Sequence, residues 1–281
     1  MIDLHAHTTC SDGTETPRQL DNNALIHGLS VIAITDHDSI AGWEEAASAM
    51  RGDLSLVPGA EISCLTLDGI SVHMLGLLFD GSDPQMLRML DETRDSRIPR
   101  MVKMLELLNA GGYEITMEDI ESVKPTGATL GRPHLADALV AKKYISSRDE
   151  AFKGLLNNDS KYYVSHMAPT PEVAIAQIRS AGGVAVIAHP FASHRGEILD
   201  TSNFDSLVAA GLNGIEVDHR DHSANERATL RAIAKELDLI ITGSSDYHGT
   251  GKLNLLGENS TDPGEWTRLE SMANARRVVK I

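Results

Sequence analysis

The sequence predicts an α/β barrel of about seven strands that is interrupted once by a mostly helical stretch. Apolar, strand-like runs alternate with helical segments along most of the chain, and metal-binding residue types follow nearly every run. Between residues 82 and 164 no buried strand is evident. Strands that alternate with helices indicate a parallel sheet, and about seven of them suffice to close or nearly close it. A chain of 281 residues is long enough for one such domain with an insertion.

The first 81 residues predict the first part of the barrel. Thr16 and Pro17 mark the start of a helix, because threonine caps a helix and proline suits its first position. Asp68 and Gly69 form a turn between two strands. The predicted elements are, in order, a strand at Ile2–Leu4, a helix from Pro17, a strand at Val31–Thr35, a helix around Ile40–Arg51, and strands at Leu54–Ile62 and Ile70–Phe79.

Residues 82–164 are predicted to form an inserted helical lid subdomain, and residues 1–81 and 165–281 the barrel. The insertion opens with an amphipathic run from Pro84 to Leu108, in which Pro99 predicts a kink. After the insertion, predicted strands and helices alternate again. Within the insertion we expect helices near Met117–Val123, Arg132–Lys142 and Arg148–Leu156, and after it a helix at Pro171–Ser180, strands at Val184–Ala188, Gly214–Val217 and Leu239–Thr242, and a helix near Asn225–Leu237.

Composition limits the classes of partner. A net charge of −15 and a pI near 5.2 argue against a generally basic surface for long duplex nucleic acid. Bound cations can nevertheless reverse the potential inside a pocket. Two cysteines give no disulfide framework, and neither an apolar run long enough for a membrane span nor a leader segment is evident. We therefore expect a cytoplasmic protein without membrane contact.

Histidines and carboxylates stand where the predicted strands end. His5 and His7 are two residues apart, so both side chains leave the strand by the same face, and Asp246 and His248 repeat this spacing. In an α/β barrel such strand ends converge on one face. Imidazole and carboxylate together suit zinc, iron or manganese, and the set is too large for one ion. The sequence thus predicts two or three divalent ions bridged by Glu61. The candidate ligands at strand ends are His5, His7, His37, Glu61, His73, His189, Asp246 and His248.

Five short motifs, in this order along the chain, resemble the polymerase-and-histidinol-phosphatase (PHP) family. They are Asp3-Leu4-His5-Ala6-His7 with Ser11-Asp12-Gly13, Thr35-Asp36-His37-Asp38, Gly59-Ala60-Glu61-Ile62-Ser63, Ala188-His189-Pro190 and Ser245-Asp246-Tyr247-His248. The resemblance implies a distorted (β/α)7 barrel, the PHP fold, with up to three metals. It further implies that Asp36 orients an imidazole. The implied ligand sets are His5, His7, Glu61 and Asp246 for one ion, Glu61, His73 and His189 for a second, and Asp12, His37 and His248 for a third.

The insertion, with Gly131-Arg132-Pro133-His134, is similar to that of the bacterial nucleotide phosphoesterases within this family. That branch includes enzymes that hydrolyse nucleoside 3′,5′-bisphosphates and enzymes that trim short 5′-phosphorylated RNA. We therefore expect a phosphoesterase that attacks with a metal-bridged hydroxide, with Asp246 and Glu61 as catalytic residues. The candidate contacts to the phosphorylated substrate are Arg132, His134, Lys161 and Arg195.

Three alternatives remain open at the level of the sequence. A carbon–nitrogen hydrolase of the amidohydrolase type would use a similar barrel, histidines and terminal aspartate. A phosphatase of another small monoester, such as histidinol phosphate, would need the same metals. A non-catalytic module is the third alternative, although a degenerate site would not keep every ligand position filled. The five residues Asp218–His222 also resemble a metal cluster, but a polar loop explains most of them.

Overall fold

A computed structural model describes residues 1–193 and 196–280. Within these residues, seven strands alternate with ten helices. The strands are β1 (Ile2–Asp3), β2 (Val31–Ile34), β3 (Ser55–Leu65), β4 (Ser71–Leu77), β5 (Val184–Ala188), β6 (Gly214–Asp218) and β7 (Ile240–Gly243). The helices are α1 (Pro17–Ile26), α2 (Trp43–Ala49), α3 (Pro84–Ala110), α4 (Met117–Val123), α5 (Arg132–Ala141), α6 (Arg148–Lys153), α7 (Pro171–Ser180), α8 (Asn203–Ala209), α9 (Ala224–Glu236) and α10 (Pro263–Met272).

The strands form one sheet in sequence order, β1 to β7, that nearly closes into a barrel. The gap between its first and last strands is bridged just beyond their ends, where the His7 amide donates to the Tyr247 carbonyl at 2.8 Å. The predicted α/β barrel is confirmed. Its regularity is broken at β4, which is antiparallel to both neighbours because a tight hairpin, and no helix, joins it to β3.

Residues along each strand alternate between two hydrophobic cores, as the period of two in a strand requires. The outer core lies between strands and helices, and includes Ile32 of β2 and Ile178 of α7. The inner core lies within the ring of strands and includes Val57, Leu75 and, from α10, Trp266. Because Glu61 lies four residues after Val57, and His73 two before Leu75, both polar side chains face the barrel interior above its apolar part.

Most predicted helices are observed, with their ends fixed by local chemistry. Thr16 caps α1 with its side chain, in a reciprocal pair with Gln19. Helix α2 begins at Trp43, three residues later than the predicted Ile40, with Gly42 as its cap. Helices α8 and α10 were not predicted, although Asp262 capping Pro263 is a start signal for α10.

No helix among the described residues is both long and apolar enough to cross a membrane.

Helix α3 joins the barrel to the predicted insertion and continues through Pro99. Near its start, Met86 and Leu90 belong to the outer barrel core. Further along, Met104 and Leu108 pack with Leu135 and other side chains of helices α4 to α6, in a third, separate core. The packing partner therefore changes within α3 itself. The division of the chain at residues 82 and 164 stays a prediction.

Candidate metal centre

The metal-capable side chains converge where β1 and β7 end and β4 begins. His5, His7, Glu61 and Asp246 are all buried, and each offers a ligand atom within 4.8 Å of the others. His73 joins them because β4 runs antiparallel, so the start of that strand lies beside the ends of its neighbours. The sequence had placed these residues at strand ends, and for His73 the reversed strand direction is the physical reason why it still lies at this face.

Two further groups surround this one. His37, Glu61 and His73 form a set, and so do His7, Asp12, His37 and His248. His189 belongs to the same neighbourhood, since its Nε2 lies 3.1 Å from Glu61 Oε1. The structure therefore brings together all nine residues that were predicted as ligands. Their coordination of metal stays a prediction.

Glu61 lies at the centre of these groups, and its two oxygens face different imidazoles. Its Oε1 is 2.7 Å from His73 Nδ1 and 3.1 Å from His189 Nε2. Its Oε2 is 3.0 Å from His37 Nδ1 and 3.1 Å from His7 Nε2. A carboxylate that is to bridge two metal ions needs candidate ligands beside each of its oxygens, and Glu61 has them.

The ring nitrogens of the histidines fit a metal better than a network of hydrogen bonds. His248 Nδ1 donates to the Asp246 carbonyl at 2.8 Å, which leaves the Nε2 lone pair 3.3 Å from Asp12 Oδ1 without a hydrogen bond. His5 directs Nδ1 to Glu216, and its Nε2 lies 3.1 Å from His7 Nε2. Lone pairs that face each other and carboxylates need a cation between them, so the donor set fits divalent ions.

The electrostatics keep the Glu61 carboxylate anionic. Burial raises the pKa of Glu61, but His37, His73 and His5 outweigh it and leave the pKa well below its usual range. Conversely, burial lowers the pKa of His7, but Asp246 and Glu61 bring it to about 9. Without metal, protons therefore neutralise part of this negative charge. Metal ions would displace those protons on binding.

Glu216 is a residue of the centre that the sequence analysis missed. It is buried on β6, its Oε1 lies 3.0 Å from His5 Nδ1, and its Oε2 accepts the His189 amide at 2.8 Å. A carboxylate that holds the outer nitrogen of a ligand histidine fixes the ring and its tautomer. The available signal was a single acid between the apolar residues Ile215 and Val217, on the inward face of a strand.

Two other residues differ from what was expected of them. Asp36 contacts no imidazole among the described residues, although the resemblance implied one. It accepts from the Thr8 hydroxyl at 2.7 Å and from Ser11 Oγ at 2.6 Å, and Ser11 in turn lies 3.3 Å from His7 Nδ1. A polar loop was expected to explain most of Asp218–His222, yet His219 in this segment is fully buried with Nε2 3.6 Å from Asp246 Oδ2.

The backbone at the centre is held in sparsely populated conformations. Asp38, His189 and Asp246 have φ values of 49°, 30° and 54°. Such conformations cost about 1–3 kcal/mol each and persist where the surrounding structure fixes them. A side chain on Gly13 would meet the His7 carbonyl at 2.5 Å, so only glycine lets the loop that carries Asp12 close over His7.

A cavity of about 420 Å³ opens onto these residues and extends to the insertion. Asp12, His37, His73 and His189 line it, and so do arginines of the insertion. Four of the lining arginines are Arg97 and Arg100 of α3, Arg132 of α5 and Arg148 of α6, and Arg220 lines the cavity from the barrel. A volume of this size suits a small molecule.

Of the predicted substrate contacts that lie among the described residues, Arg132 lines this cavity. Its Nη1 donates to the Leu156 carbonyl at 2.8 Å and to Asn158 Oδ1 at 2.6 Å, and its guanidinium lies 5.1 Å from the centre of the Tyr163 ring. Arg100 lies over the same ring at 5.4 Å and donates to the Val164 carbonyl. We call Arg100, Arg132 and Tyr163 the arginine pocket. The sequence missed Arg100, which is one of several charged residues on a long helix.

The other predicted substrate contacts lie elsewhere. His134 is buried behind the cavity wall, where its Nδ1 accepts the Gly131 amide at 3.1 Å, because it closes the first turn of α5. Lys161 is exposed and lies over the Tyr162 ring, 4.9 Å from its centre, on the outer side of the insertion core. Neither lines the cavity, and the contact of either residue with substrate stays a prediction. Arg195 lies outside the described residues.

Buried histidines and carboxylates at one end of an α/β barrel, beside a cavity lined with arginine, define a metal-dependent hydrolase of anionic substrates. Comparison with known proteins gives the family. The PHP domain family matches residues 3–121. A 5′-3′ exoribonuclease of Haemophilus influenzae is 32% identical, with 88% of this chain and 89% of that protein covered. The chain belongs to the PHP family and is a metal-dependent hydrolase of phosphate esters.

Two other relatives carry different substrate names. A 3′,5′-nucleoside bisphosphate phosphatase of Chromobacterium violaceum is 31% identical over 89% of this chain and 88% of its own length. A phosphoribosyl 1,2-cyclic phosphate 1,2-diphosphodiesterase of Eggerthella lenta is 31% identical over 88% of this chain and 94% of its own length. One similar solved structure is that of a protein from Bifidobacterium adolescentis, to which the activity of a metal-dependent phosphoesterase has been assigned by inference. It is 40% identical to this chain, and the two structures superpose with a TM-score of 0.90 over 97% of this chain and 96% of that one.

Proposed function

We propose that this protein hydrolyses the 3′-phosphate of nucleoside 3′,5′-bisphosphates, and that short 5′-phosphorylated oligoribonucleotides belong to the same substrate class. The observation that carries this proposal is a pair of arginines without an acid, Arg100 buried and Arg132 partly buried. Among the described residues, neither Arg100 nor Arg132 contacts a carboxylate, and both line the cavity onto which the metal centre opens. A buried cation without an anionic partner is costly, and a phosphate supplies that partner.

The pKa of Arg100 agrees with this view. Burial, together with the charge of Arg132, lowers the pKa of Arg100 to about 9. The guanidinium stays charged at neutral pH, but its charge is less stable than in water, and a bound anion would offset the repulsion between the two arginines. A substrate with two phosphates, one at the metals and one in the arginine pocket, matches both parts of the cavity.

The proposed division of labour follows from the contacts. When bound, two or three ions of manganese, iron or zinc supply an activated water and neutralise the phosphoryl oxygens. Asp246 directs Oδ1 towards His5 and His7, and its Oδ2 accepts from Lys252 Nζ at 2.8 Å. An aspartate held in this way is placed to take a proton from the attacking water. Glu61 would hold the ions together, and the predicted lid subdomain, residues 82–164, would carry the arginine pocket.

The test is an assay of manganese-loaded enzyme against a panel of substrates. We expect phosphate release from adenosine 3′,5′-bisphosphate with adenosine 5′-monophosphate as product, and turnover of short 5′-phosphorylated RNA. A cyclic phosphate, histidinol phosphate and a simple amide form the comparison set. Preference for the cyclic phosphate, for histidinol phosphate or for the amide would overturn the proposal.

Arg132→Met tests the role of the arginine pocket. Because a lost charge-assisted contact to phosphate costs about 1.5–3 kcal/mol, we expect kcat/KM for the bisphosphate to fall roughly 10- to 100-fold. Turnover of p-nitrophenyl phosphate, which has no second phosphate, should change little. Arg94→Met is the matched control, since Arg94 lies on α3 outside the cavity and pairs with Asp91. An equal loss on both substrates would contradict the assignment.

A further inference from the structure

Arg97, one turn before Arg100 on α3, is buried and makes four hydrogen bonds. Its Nε and Nη2 donate to Asp38 Oδ2 at 3.1 and 2.5 Å, and Nη2 also donates to Ser63 Oγ at 2.7 Å. Its Nη1 donates to the Leu130 carbonyl at 3.3 Å. A planar guanidinium with bonds on three nitrogens has no rotational freedom left.

On one side, these bonds attach to the segments that carry metal-centre residues. Asp38 directly follows His37, and its amide donates to the Glu61 carbonyl at 3.0 Å. Ser63 lies two residues after Glu61 on β3, and its amide donates to Asp38 Oδ1 at 2.8 Å. Asp38 is fully buried, with a left-handed φ of 49°. Arg97 is therefore bonded to the frame that positions His37 and Glu61.

On the other side, the bonds lead to the arginine pocket. Leu130, whose carbonyl accepts from Arg97, lies two residues before Arg132. Arg100 stands three residues after Arg97 on the same helix, a separation that places both on one face. One side chain thus connects the metal frame to the two backbone segments that carry the arginines of the pocket.

We propose that Arg97 is a positioning residue that sets the distance between the metal centre and the arginine pocket, and so selects substrates with two phosphates. The inference rests on the proposed function. A substrate held at two points reacts only when both are correctly spaced, and an error of about 1 Å can cost roughly 100-fold in rate. Arg97 achieves this spacing through Asp38, Ser63 and Leu130, without being a catalytic residue.

Arg97→Lys is the informative variant, because lysine keeps the charge beside Asp38 but cannot bond Asp38, Ser63 and Leu130 at once. In manganese-loaded enzyme we expect kcat for adenosine 3′,5′-bisphosphate to fall roughly 30-fold with little change in KM. The frame of the metal centre keeps its own bonds in this variant, from the Ser63 amide to Asp38 Oδ1 and from the Asp38 amide to the Glu61 carbonyl. We therefore expect p-nitrophenyl phosphate turnover to change by less than about 3-fold, and the manganese content to stay the same. Arg94→Lys is the control, because Arg94 lies on the same helix and pairs with Asp91 at the surface.

A double-mutant cycle with Arg132→Met separates spacing from direct contact. If Arg97 acts by holding the pocket in place, Arg97→Lys has almost no further effect once Arg132 is lost. An increase in KM alone, an equal loss on both substrates, or independent effects in the cycle would overturn the proposal. If the wild-type enzyme does not hydrolyse the bisphosphate, both the proposed function and this inference are overturned. If the wild-type enzyme hydrolyses it and any of those three results is obtained, the inference alone is overturned.

Folding of the variant is checked by thermal unfolding. Should Arg97→Lys fail to fold, the pair Asp38→Asn with Arg97→Gln removes both charges, so that no buried charge is left without a partner. The same substrate ratio is then measured. We expect the same selective loss on the bisphosphate, and an unchanged ratio would overturn the proposal.

Discussion

At the scale of single residues, the two oxygens of Asp246 have different surroundings. Oδ1 lies 3.4 Å from His7 Nε2 and 3.5 Å from His5 Nε2, and Oδ2 contacts Lys252 and His219. One oxygen thus faces the candidate ligands, and the other is held from behind by a lysine and a buried histidine. This asymmetry gives the carboxylate a fixed orientation towards the place where water would be activated.

Asp246→Asn tests its proposed role as proton acceptor. An amide of the same shape cannot accept the proton, so we expect kcat to fall at least about 100-fold in enzyme that still binds manganese. The measurement is steady-state kinetics together with metal analysis of the same sample. A variant that retains its metals and full turnover would show that the proton goes elsewhere.

The ligand positions could be predicted from the sequence because pairs such as His5 and His7 combine a spacing of two with a strand end. Arg97 and Arg100 could not. They stand among Arg88, Arg94 and other charges on one helix, and only tertiary packing decides which of them is buried. His134 is a related case, since its ring accepts the Gly131 amide within its own helix cap, a local bond that the sequence motif does not reveal.

At the scale of elements, strand direction and alternation position the chemistry. The hairpin of β3 and β4 brings Glu61 and His73 onto one inward face, with the carboxylate of Glu61 2.7 Å from the His73 ring. A regular parallel barrel was the simplest reading of the strand order, and the turn at Asp68 and Gly69 is the local feature that reverses β4. The sequence contained this turn, but the pairing of β4 with β5 depends on contacts that are distant along the chain.

Strand β6 contributes the next prediction through Glu216. Because this carboxylate orients His5 and also accepts the His189 amide, we expect Glu216→Gln to weaken manganese binding by roughly 10- to 100-fold. Equilibrium dialysis measures the affinity. Glu226→Gln, at the exposed start of α9, is the matched control. Unchanged affinity in the β6 variant would mean that Glu216 serves packing alone.

At the scale of the whole molecule, the concentration of histidines at one barrel end makes stability depend on pH. Burial lowers the pKa of His7, but Asp246 and Glu61 outweigh it and raise the pKa to about 9. The protonated ring therefore stabilises the metal-free fold, and this contribution is fully present below pH 6.5, the ordinary pKa of histidine. That contribution is lost as pH rises towards 9. His248 has the opposite effect, because burial and the charge of Lys252 lower its pKa to about 4. Its neutral ring stabilises the fold above pH 6.5, and this contribution is lost as the pH falls from 6.5 through 4.

Metal-free protein should therefore be most stable near pH 6.5, the ordinary pKa of histidine. Thermal unfolding from pH 4 to 9, in the presence of a chelator, measures this directly. Manganese should raise Tm by an increment that grows with pH, because fewer protons then compete for the imidazoles. A metal-free Tm that keeps rising up to pH 9 would contradict the proposed protonation of the centre.

The central claim is that one barrel end holds several metal ions around Glu61, and the number of manganese ions per chain at saturation tests it most directly. The measurement is elemental analysis after equilibrium dialysis, on wild-type protein and on Glu61→Gln. Since Glu61 oxygens lie within 3.1 Å of four different imidazoles, we expect two or three ions in the wild type and at least one fewer in the variant. Fewer than two ions in the wild type, or the same number in both proteins, would contradict it.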